Sequence, residues 1–396
     1  MVAETRTPDI AIVGGGPCGL ALAGILERNG FDNYILYERG SREEIPRGGC
    51  LDLHTGSGQR ACREAGCFDL MRKYGRVGDA TEAWVWSHTG NKIASWGKGR
   101  DAPELDRWQI KDALLSTITP SKIRWKADVT NSTRDEKGVV TLHFADGTSA
   151  SGFKLVVGAD GVRSKIRHLV TDAQPKYSGY GFVTGHILPS NPLYPKVKEM
   201  AGVGPQAILG KGTFTWNQMQ ADEKYRIDYG FARAGQFVFE DLDLSDEAAV
   251  RKMMLTGPYS DHAPIFKELI EGTTGPFHLW PLWYMPVESL NWQAKPGVTL
   301  VGDAAHVTTP HVGDGVNLGM RDTIILVEKL KQFGITTEAI AAYEKEMFEF
   351  AIDVIERSLE SATYFHHDNA PDAFFEGMTN YQARTGHLLI GKTDDY

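Results

Sequence analysis

Cysteine is scarce in this sequence: its 396 residues include only 4, namely Cys18, Cys50, Cys62 and Cys67. None of them forms a CxxC pair, and no group of histidines and cysteines has the spacing of zinc ligands. We therefore expect reduced thiols, no metal site and a cytoplasmic location.

Long apolar runs and long basic runs are also missing. No apolar run reaches the roughly 18 residues of a transmembrane helix. The N-terminal stretch MVAETRTPDIAIV lacks the basic region and the apolar core of a signal peptide. The formal net charge is −9, without a basic patch. These features predict no nucleic acid partner and no stable membrane insertion, and they leave a monomer and a homodimer both open.

A βαβ pattern is present near the start of the chain. Residues 9–13 (DIAIV) and 33–37 (NYILY) are typical of buried strands. The segment 20–30 between them is rich in Leu and Ala, has helical periodicity and ends in a glycine. The three segments together predict the first unit of an α/β domain.

Three glycines between the first strand and the helix form a GxGxxG sequence: Gly14, Gly16 and Gly19. The first permits a tight turn, the second lets a pyrophosphate approach the backbone, and the third allows close packing of helix on strand. Glu38 ends the second strand, where a carboxylate can accept from a ribose hydroxyl. The pattern predicts a dinucleotide site for FAD or NAD, with a purely structural glycine turn as the alternative.

The rest of the chain shows two kinds of sequence pattern. Periodicity predicts a hairpin over residues 82–86 and 92–96, a helix over 105–118, strands over 121–149 with a turn at Asp146-Gly147, buried strands over 154–157 and 298–301, and helices over 315–333 and 337–365. Between residues 176 and 287 aromatic and polar residues alternate, as in FTWNQMQ and YRIDYGFA. That alternation predicts an antiparallel sheet with one buried face.

Two further motifs follow predicted strands. The segment 158–167 (GADGVRSKIR) is here called the second motif, after GxGxxG. The third motif is 302–306 (GDAAH), continuing to Pro310, Gly313, Gly315, Asn317 and Gly319. With GxGxxG, and in this order, they resemble the class A FAD-dependent aromatic hydroxylases of the para-hydroxybenzoate hydroxylase fold. The segment 48–54 (GGCLDLH), together with the GDAAH block, is most similar to the tetracycline-inactivating flavin monooxygenases.

The resemblance implies a fold and a division into domains. We expect an α/β protein with a Rossmann-like FAD-binding domain, an inserted antiparallel-sheet substrate domain and C-terminal helices. The expected boundaries are 1–75, 100–175 and 288–335 for the FAD-binding domain, 76–99 and 176–287 for the substrate domain, and 336–396 for the helical segment.

The resemblance also implies cofactor-binding residues beyond the glycine loop and Glu38. They are Arg39 near the adenine, Arg107 near the phosphate or ribityl chain, Asp160 with Arg163 in the second motif, and Asp303, Gly313, Gly315 and Asn317 around the ribityl chain and the flavin's pyrimidine edge. Each charged residue has an ordinary structural alternative: a helix cap for Asp303, a surface position for Arg107 and a loop brace for Asp160. The orientation of Asp314, an acid beside the flavin edge, is left open.

Three residues are predicted to take part in catalysis: Asp52 near the flavin N5, Pro310 shaping the space over the ring, and His311 near the flavin face. His306 is expected to be structural. Walls for the substrate are predicted from Trp216, Met219, Tyr229 and Phe231, and a lid or helix contact from Phe374 and Phe375. Gln206 and Asp228 align with an Arg and a His of the tetracycline-inactivating relatives. We therefore expect tetracycline to be a poor substrate.

The reaction implied by the resemblance uses non-covalent FAD, NADPH or NADH as a transient co-substrate, and O₂. A flavin C4a-hydroperoxide would hydroxylate a phenolic or polycyclic small molecule of secondary metabolism. The alternatives on the same scaffold are Baeyer–Villiger oxygenation, tetracycline inactivation and dehydrogenation without oxygen insertion. A halogenase is disfavoured because Trp84-Val85-Trp86 is not followed by Ile-Pro, and a non-catalytic flavin-binding module is the alternative outside enzymology.

Overall fold

A computed structural model describes residues 7–235, 239 and 242–390. Its strands are β1 Ile10–Val13, β2 Tyr34–Tyr37, β3 Leu51–Asp52, β4 Ala83–Ser87, β5 Lys92–Trp96, β6 Glu104–Leu105, β7 Ile123–Arg124, β8 Val129–Arg134, β9 Val140–Phe144, β10 Ser149–Ser151, β11 Leu155–Gly158, β12 Lys176–Ile187, β13 Gln206–Gly210, β14 Thr213–Met219, β15 Tyr225–Ala232, β16 Thr274–Tyr284 and β17 Val298–Leu300.

Its α-helices are α1 Pro17–Arg28, α2 Gly58–Ala65, α3 Phe68–Tyr74, α4 Arg107–Leu115, α5 Tyr194–Ala201, α6 Glu247–Thr256, α7 Pro264–Gly272, α8 Asp303–His306, α9 Gly315–Phe333, α10 Thr337–Phe365 and α11 Asp372–Thr385. None of the helices in the described part of the chain combines the length and the apolar character needed to cross a bilayer.

A parallel sheet with the strand order β17-β11-β1-β2-β7 holds the sequence motifs. All residues of β1, β2 and β11 are buried, as expected for strands covered on both faces. The strands run in the same direction, so their carboxyl ends share one edge. The GxGxxG loop, Glu38, GADGVRSKIR and GDAAH therefore meet there, where α/β sheets bind ligands.

A second sheet is mixed and has the order β16-β12-β15-β14-β13-β4-β5. Side chains on one face, here called the outer face, pack against α5, α6 and α7; Ile227 and Tyr229 of β15 belong to it. The opposite, inner face carries Phe182, Phe214 and Trp216 and packs against the end of α10. The strands of this sheet lie within the predicted segments 76–99 and 176–287, whose status as a separate domain remains a prediction.

Helix α10 connects the two sheets. Near its start, Tyr343 donates to the carbonyl of Leu300 in β17 at 2.7 Å. At its end, Phe365 packs against Phe214 of the inner face, with ring centroids 4.4 Å apart. The predicted bounds of α9 and α10 agree with the structure. The predicted fold class, a Rossmann-like sheet with an antiparallel sheet and C-terminal helices, is confirmed.

Candidate cofactor and active site

The glycine loop has the geometry that a phosphate loop requires. Gly14 has a φ of 110°, and a Cβ on it would lie 2.3 Å from the carbonyl oxygen of Ala159. A Cβ on Gly19 would lie 1.9 Å from the carbonyl oxygen of Gly14. A Cβ on Gly16 would meet no protein atom within 4 Å. Two glycines are thus required by packing, while the third keeps the backbone open to a ligand.

Glu38 sits at the end of β2, as predicted. Its carboxylate accepts from the backbone N–H of Gly15 at 2.5 Å and of Gly40 at 2.6 Å. It therefore braces the glycine loop from the neighbouring strand. Arg39 follows it and is exposed. The predicted contacts of Glu38 with a ribose and of Arg39 with an adenine stay predictions.

The second motif contains one oxygen without a partner. Asp160 Oδ2 accepts from the backbone N–H of Lys165 at 2.6 Å. Its buried Oδ1 has no partner among the described residues, and burial raises the pKa of this carboxyl. Arg163 is exposed. Asp160 thus combines the loop-bracing role with an acceptor that a cofactor could use.

Sequence reasoning missed Arg167, which is only 2% exposed. It donates from Nε to the carbonyl of Ala304 at 2.7 Å and from Nη2 to that of Asp303 at 3.0 Å. The second motif therefore fixes the third. Its neighbours Lys165 and His168 are exposed, and the local sequence gave no signal that this one cation would be buried.

Asp303 and Arg107 provide an acceptor and a donor for a cofactor. The Asp303 carboxylate is solvent-accessible and bonds to no side chain in the described ranges. The Arg107 side chain packs against Gly48, where an added Cβ would lie 2.2 Å from the Arg107 Nε. This Nε is buried and has no hydrogen-bond partner among the described residues. These residues fit the ribityl hydroxyls and phosphates of FAD.

Asp52 is held by two cationic groups. Its Oδ2 lies 3.0 Å from His54 Nε2 and 3.2 Å from Arg100 Nη2. Burial alone would raise the pKa of Asp52, but His54 and Arg100 outweigh it and the pKa is lowered. Its Oδ1 would be 3.9 Å from a Cβ on Gly313. Asp52 is therefore ionised beside the loop that precedes α9; its catalytic role stays a prediction.

Glu104 is a second acid of this cluster and was missed because β6 has only two residues. It pairs with Asp52 across β3 and β6, and it accepts from Gln218 Nε2 at 2.8 Å. Burial, followed by the charge of Asp52, raises the pKa of Glu104 to about 8. At neutral pH the pair thus holds one proton, on Glu104.

We expect Glu104→Gln to change how the free energy of unfolding depends on pH. Because the folded pKa lies above the unfolded value of 4.5, unfolding releases a proton between these values. Stability then falls as pH rises from about 4.5 to about 8, by up to about 1.4 kcal/mol per pH unit. The variant should lack this slope, as measured by denaturant unfolding at several pH values. If the free energy of unfolding depended on pH in the same way for both proteins, the raised pKa of Glu104 would be contradicted.

The orientation left open for Asp314 is settled by its partners. Asp314 Oδ2 lies 2.7 Å from Arg357 Nη2, and its Oδ1 lies 3.4 Å from His54 Nδ1. Each carboxylate oxygen therefore faces a basic side chain, and the Arg357 guanidinium compensates the charge of the acid. Burial raises its pKa, while His54 and Arg357 oppose that shift.

Asn317 has a structural use that the sequence did not reveal. Its Nδ2 donates to the carbonyl of Asp52 at 2.8 Å, and its Oδ1 accepts from the backbone N–H of His54 at 2.8 Å. The side chain thus ties α9 to the segment 52–58. The predicted contacts of Asn317 and of Gly315, which begins α9, with a cofactor stay predictions.

Pro310 and His311 lie in the loop before α9. Pro310 is exposed, whereas His311 is 3% exposed and lies against Phe214 and His366. Direct catalysis by His311 therefore requires a substrate on the inner face. His306 is structural as expected, with Nε2 2.6 Å from Asp322 Oδ2 in the core.

Three of the predicted wall residues are on the wrong face. Met219, Tyr229 and Phe231 belong to the outer face and pack with α6 and α7. Trp216 lies on the inner face. Phe374 is fully buried against Phe365 of α10, so of the two predicted roles it has the helix contact and not the lid. Alternation along β14 and β15 defined two faces correctly, but it did not say which of them the helices cover.

Gln206 does not face the inner side of the sheet. Its side chain bonds to Asn217 at 3.2 Å, on the outer side. Asp228 does lie on the inner face, but Arg226, which the sequence reading missed, donates to it at 3.0 and 2.8 Å. The pair is neutralised, so the predicted repulsion of tetracycline by Asp228 loses its basis.

Comparisons with known proteins agree with this geometry. A family model described as an FAD binding domain matches residues 7–197 and 269–358. Monooxygenase asqM of Emericella nidulans is 26% identical over 449 residues, covering 94% of this chain and 98% of that protein. The 6-hydroxynicotinate 3-monooxygenase of Pseudomonas fluorescens is 26% identical over 370 residues, covering 88% and 90%. The crystal structure of tetracycline destructase Tet(55) matches with a TM-score of 0.72 at 19% identity, covering 99% of this chain and 100% of that one.

Proposed function

Because the chain belongs to the FAD-binding domain family and is an FAD-dependent monooxygenase, we propose that it hydroxylates a flat phenolic or polycyclic molecule held against the inner face. NADPH or NADH would be the reductant and O₂ the oxidant. The observation that carries this proposal is the position of an aromatic and charged inner face beside the flavin-binding loop.

One contact between the inner face and the candidate cofactor site is at Gly48-Gly49. A Cβ on Gly49 would lie 3.4 Å from Cδ of Arg226 on the inner face, and Gly48 contacts Arg107 of the candidate cofactor site. A substrate on the inner face would therefore lie next to the flavin. Such adjacency is needed because the cofactor carries out the oxygen transfer.

Several rings and one ion pair supply the substrate surface. Trp216 and Trp280 are partly exposed and present aromatic area suited to a flat ligand. Arg226 lies 5.7 Å from the Trp280 ring, and the indole Nε1 of Trp280 is a buried donor without a described partner. The surface thus favours a molecule with aromatic rings and a hydrogen-bonding edge. The relative that acts on 6-hydroxynicotinate supports a substrate of this class.

FAD, when bound, would accept hydride from the nicotinamide and activate O₂. The protein's part is to bind and orient. Arg107 and Asp303 would hold the phosphate and ribityl groups, and the N-terminus of α9 would place N–H groups and a positive dipole at the pyrimidine edge. Asp52, kept ionised by His54 and Arg100, would also face the pyrimidine edge. Pro310 and the inner face would exclude water from the reacting ring.

The test of the proposal is a screen of phenols and polycycles, tetracycline included, with the purified yellow holoenzyme. We expect NADPH or NADH oxidation to be stimulated by phenolic rings and to yield a product heavier by one oxygen atom. A product that has lost two hydrogen atoms and gained no oxygen would instead favour a dehydrogenase. A lactone or ester product would favour the Baeyer–Villiger outcome.

Asp303→Ala should weaken FAD binding without unfolding the protein. Loss of a charge-assisted hydrogen bond costs about 1.5–3 kcal/mol, about tenfold or more in affinity. Flavin titration of the apoprotein measures this effect, and Asp303→Asn, which keeps an acceptor, should lose less. Equal FAD affinity in all three proteins would mean that Asp303 is only a helix-terminal residue.

We further place the protein in the cytoplasm. Support comes from its four cysteines, all of which are free thiols in the structure. A monomer and a homodimer both remain compatible with the proposal.

A further inference from the structure

Two histidines from distant parts of the chain meet at the inner face. His311, in the loop before α9, has its Nε2 3.3 Å from Nε2 of His366, which follows α10. His366 Nδ1 lies 3.3 Å from the carbonyl oxygen of Gly212, in the turn between β13 and β14. The two rings therefore connect the candidate flavin loop to a turn of the mixed sheet.

The partners fix the positions of the protons. A carbonyl oxygen can only accept, so His366 Nδ1 carries a proton and donates to Gly212. Burial lowers the pKa of His366 to about 4, and burial together with His366 lowers that of His311 well below its usual value. Both rings are thus neutral at pH 7. His366 Nε2 is then an acceptor, His311 must donate from Nε2, and His311 Nδ1 is left without a proton.

This bare Nδ1 has no hydrogen-bond partner in the described part of the chain, although it is buried. An unsatisfied buried acceptor is unfavourable, and a ligand that donates a hydrogen bond would relieve the cost. The ring centroid of His311 lies 5.9 Å from Phe214 and 6.1 Å from Tyr180, which belong to β14 and β12. Aromatic surface of the mixed sheet thus surrounds an acceptor that lacks a donor.

We propose that His311 Nδ1 accepts a hydrogen bond from a hydroxyl group of the substrate, and that His366 is a positioning residue that holds His311 in the acceptor tautomer. The inference rests on the proposed hydroxylation and adds which substrate group is recognised. A hydroxyl that donates to a neutral imidazole gains electron density on oxygen and on its ring. The contact would therefore make the ring a better nucleophile toward an electrophilic oxygen.

The first test is nitrogen NMR of the holoenzyme with isotope-labelled histidine, where the His311 signals are identified by their loss in His311→Asn. We expect His311 to be protonated at Nε2 and bare at Nδ1. Addition of 2-naphthol should shift the Nδ1 signal, and its methyl ether 2-methoxynaphthalene, which has no hydroxyl to donate, should not.

The second test compares the binding of these two probes, followed by the flavin absorption spectrum. His366→Phe keeps a ring to stack on Tyr180, whose centroid is 4.3 Å away, but removes both nitrogens. We expect the preference for 2-naphthol over its ether to fall about threefold to tenfold, and His311 to become a mixture of tautomers. His366→Gln, which keeps a donor and an acceptor, should retain part of the preference.

His262→Phe is the matched control. His262 is also buried, and burial lowers its pKa to about 4, but it bonds to Thr213 on the other side of the sheet. It should not alter the preference between the probes. If His366→Phe does not fold, the spectrum of the unaltered holoenzyme decides the matter.

A proton on His311 Nδ1, or 2-naphthol that leaves its signal unmoved, would overturn the inference. The proposed function is tested separately, because oxygenation of any phenol in the screen would support it even where His311 takes no part.

Discussion

Gly16→Val is expected to abolish FAD binding while the protein still folds. The backbone at Gly16 has φ −73° and ψ −179°, which valine adopts readily, and its Cβ direction is free of protein atoms within 4 Å. The added side chain would instead occupy the place through which a pyrophosphate approaches the loop. We expect at least ~100-fold weaker FAD binding, which corresponds to about 2.7 kcal/mol.

Flavin content after purification and calorimetric titration of the apoprotein measure this loss. Gly19→Ala is the informative contrast, since its Cβ would lie 1.9 Å from the Gly14 carbonyl oxygen and the fold itself should suffer. If Gly16→Val kept its FAD, the loop would be structural and the cofactor would have to bind elsewhere.

Arg357→Ala should be strongly destabilising. Arg357 is 1% exposed and contacts Asp314 at 2.7 Å and Asp353 at 2.8 Å. Removing the cation leaves the buried Asp314 with His54 as its remaining basic neighbour in the described ranges and with the negative charge of Asp52 nearby. Loss of one partner of a buried ion pair costs about 3–5 kcal/mol, and chemical denaturation of the flavin-free protein would show it.

The control for this change is Arg384→Ala, which removes a surface ion pair with Glu360. Exposed pairs contribute about 0–1 kcal/mol, so this variant should unfold almost as the unaltered protein does. If Arg357→Ala lowered the free energy of unfolding by less than about 1 kcal/mol, the Asp314–Arg357 ion pair would not be needed for stability.

Much of the parallel-sheet half could be predicted from the sequence because its signals are local. The strand–glycine–helix order of β1 and α1, and the extent of α9 and α10, follow from apolar periodicity and from glycines whose geometry has few alternatives. The edge where motifs meet follows from parallel strands alone. These signals depend on residues that are close together in the sequence, so they can be recognised without tertiary contacts.

The inner face could not be predicted in the same way. Alternation along β15 separates Arg226 and Asp228 from Ile227 and Tyr229, but only the packing of α6 and α7 decides which set is covered. Large aromatics were therefore assigned to the substrate, while the Arg226 ion pair was overlooked. Burial of a charge is not visible in local sequence, since it depends on the partner.

Pairs brought together from distant segments were missed for the same reason. Glu104 meets Asp52 and Gln218, and His366 meets His311 across 55 residues of chain. A residue such as Glu104 in a two-residue strand has no periodic pattern around it. Its raised pKa arises only when the fold places it near another acid.

The proposed hydroxylation is tested most sharply by following the oxygen atom that enters the product. The holoenzyme would be supplied with NADPH or NADH, the phenol or polycycle that most stimulates nicotinamide oxidation, and isotope-labelled O₂, with Gly16→Val as the flavin-free control. We expect a product that carries one labelled oxygen atom and is formed only when FAD is bound. Nicotinamide oxidation that yields only hydrogen peroxide, or product whose new oxygen is unlabelled, would contradict it.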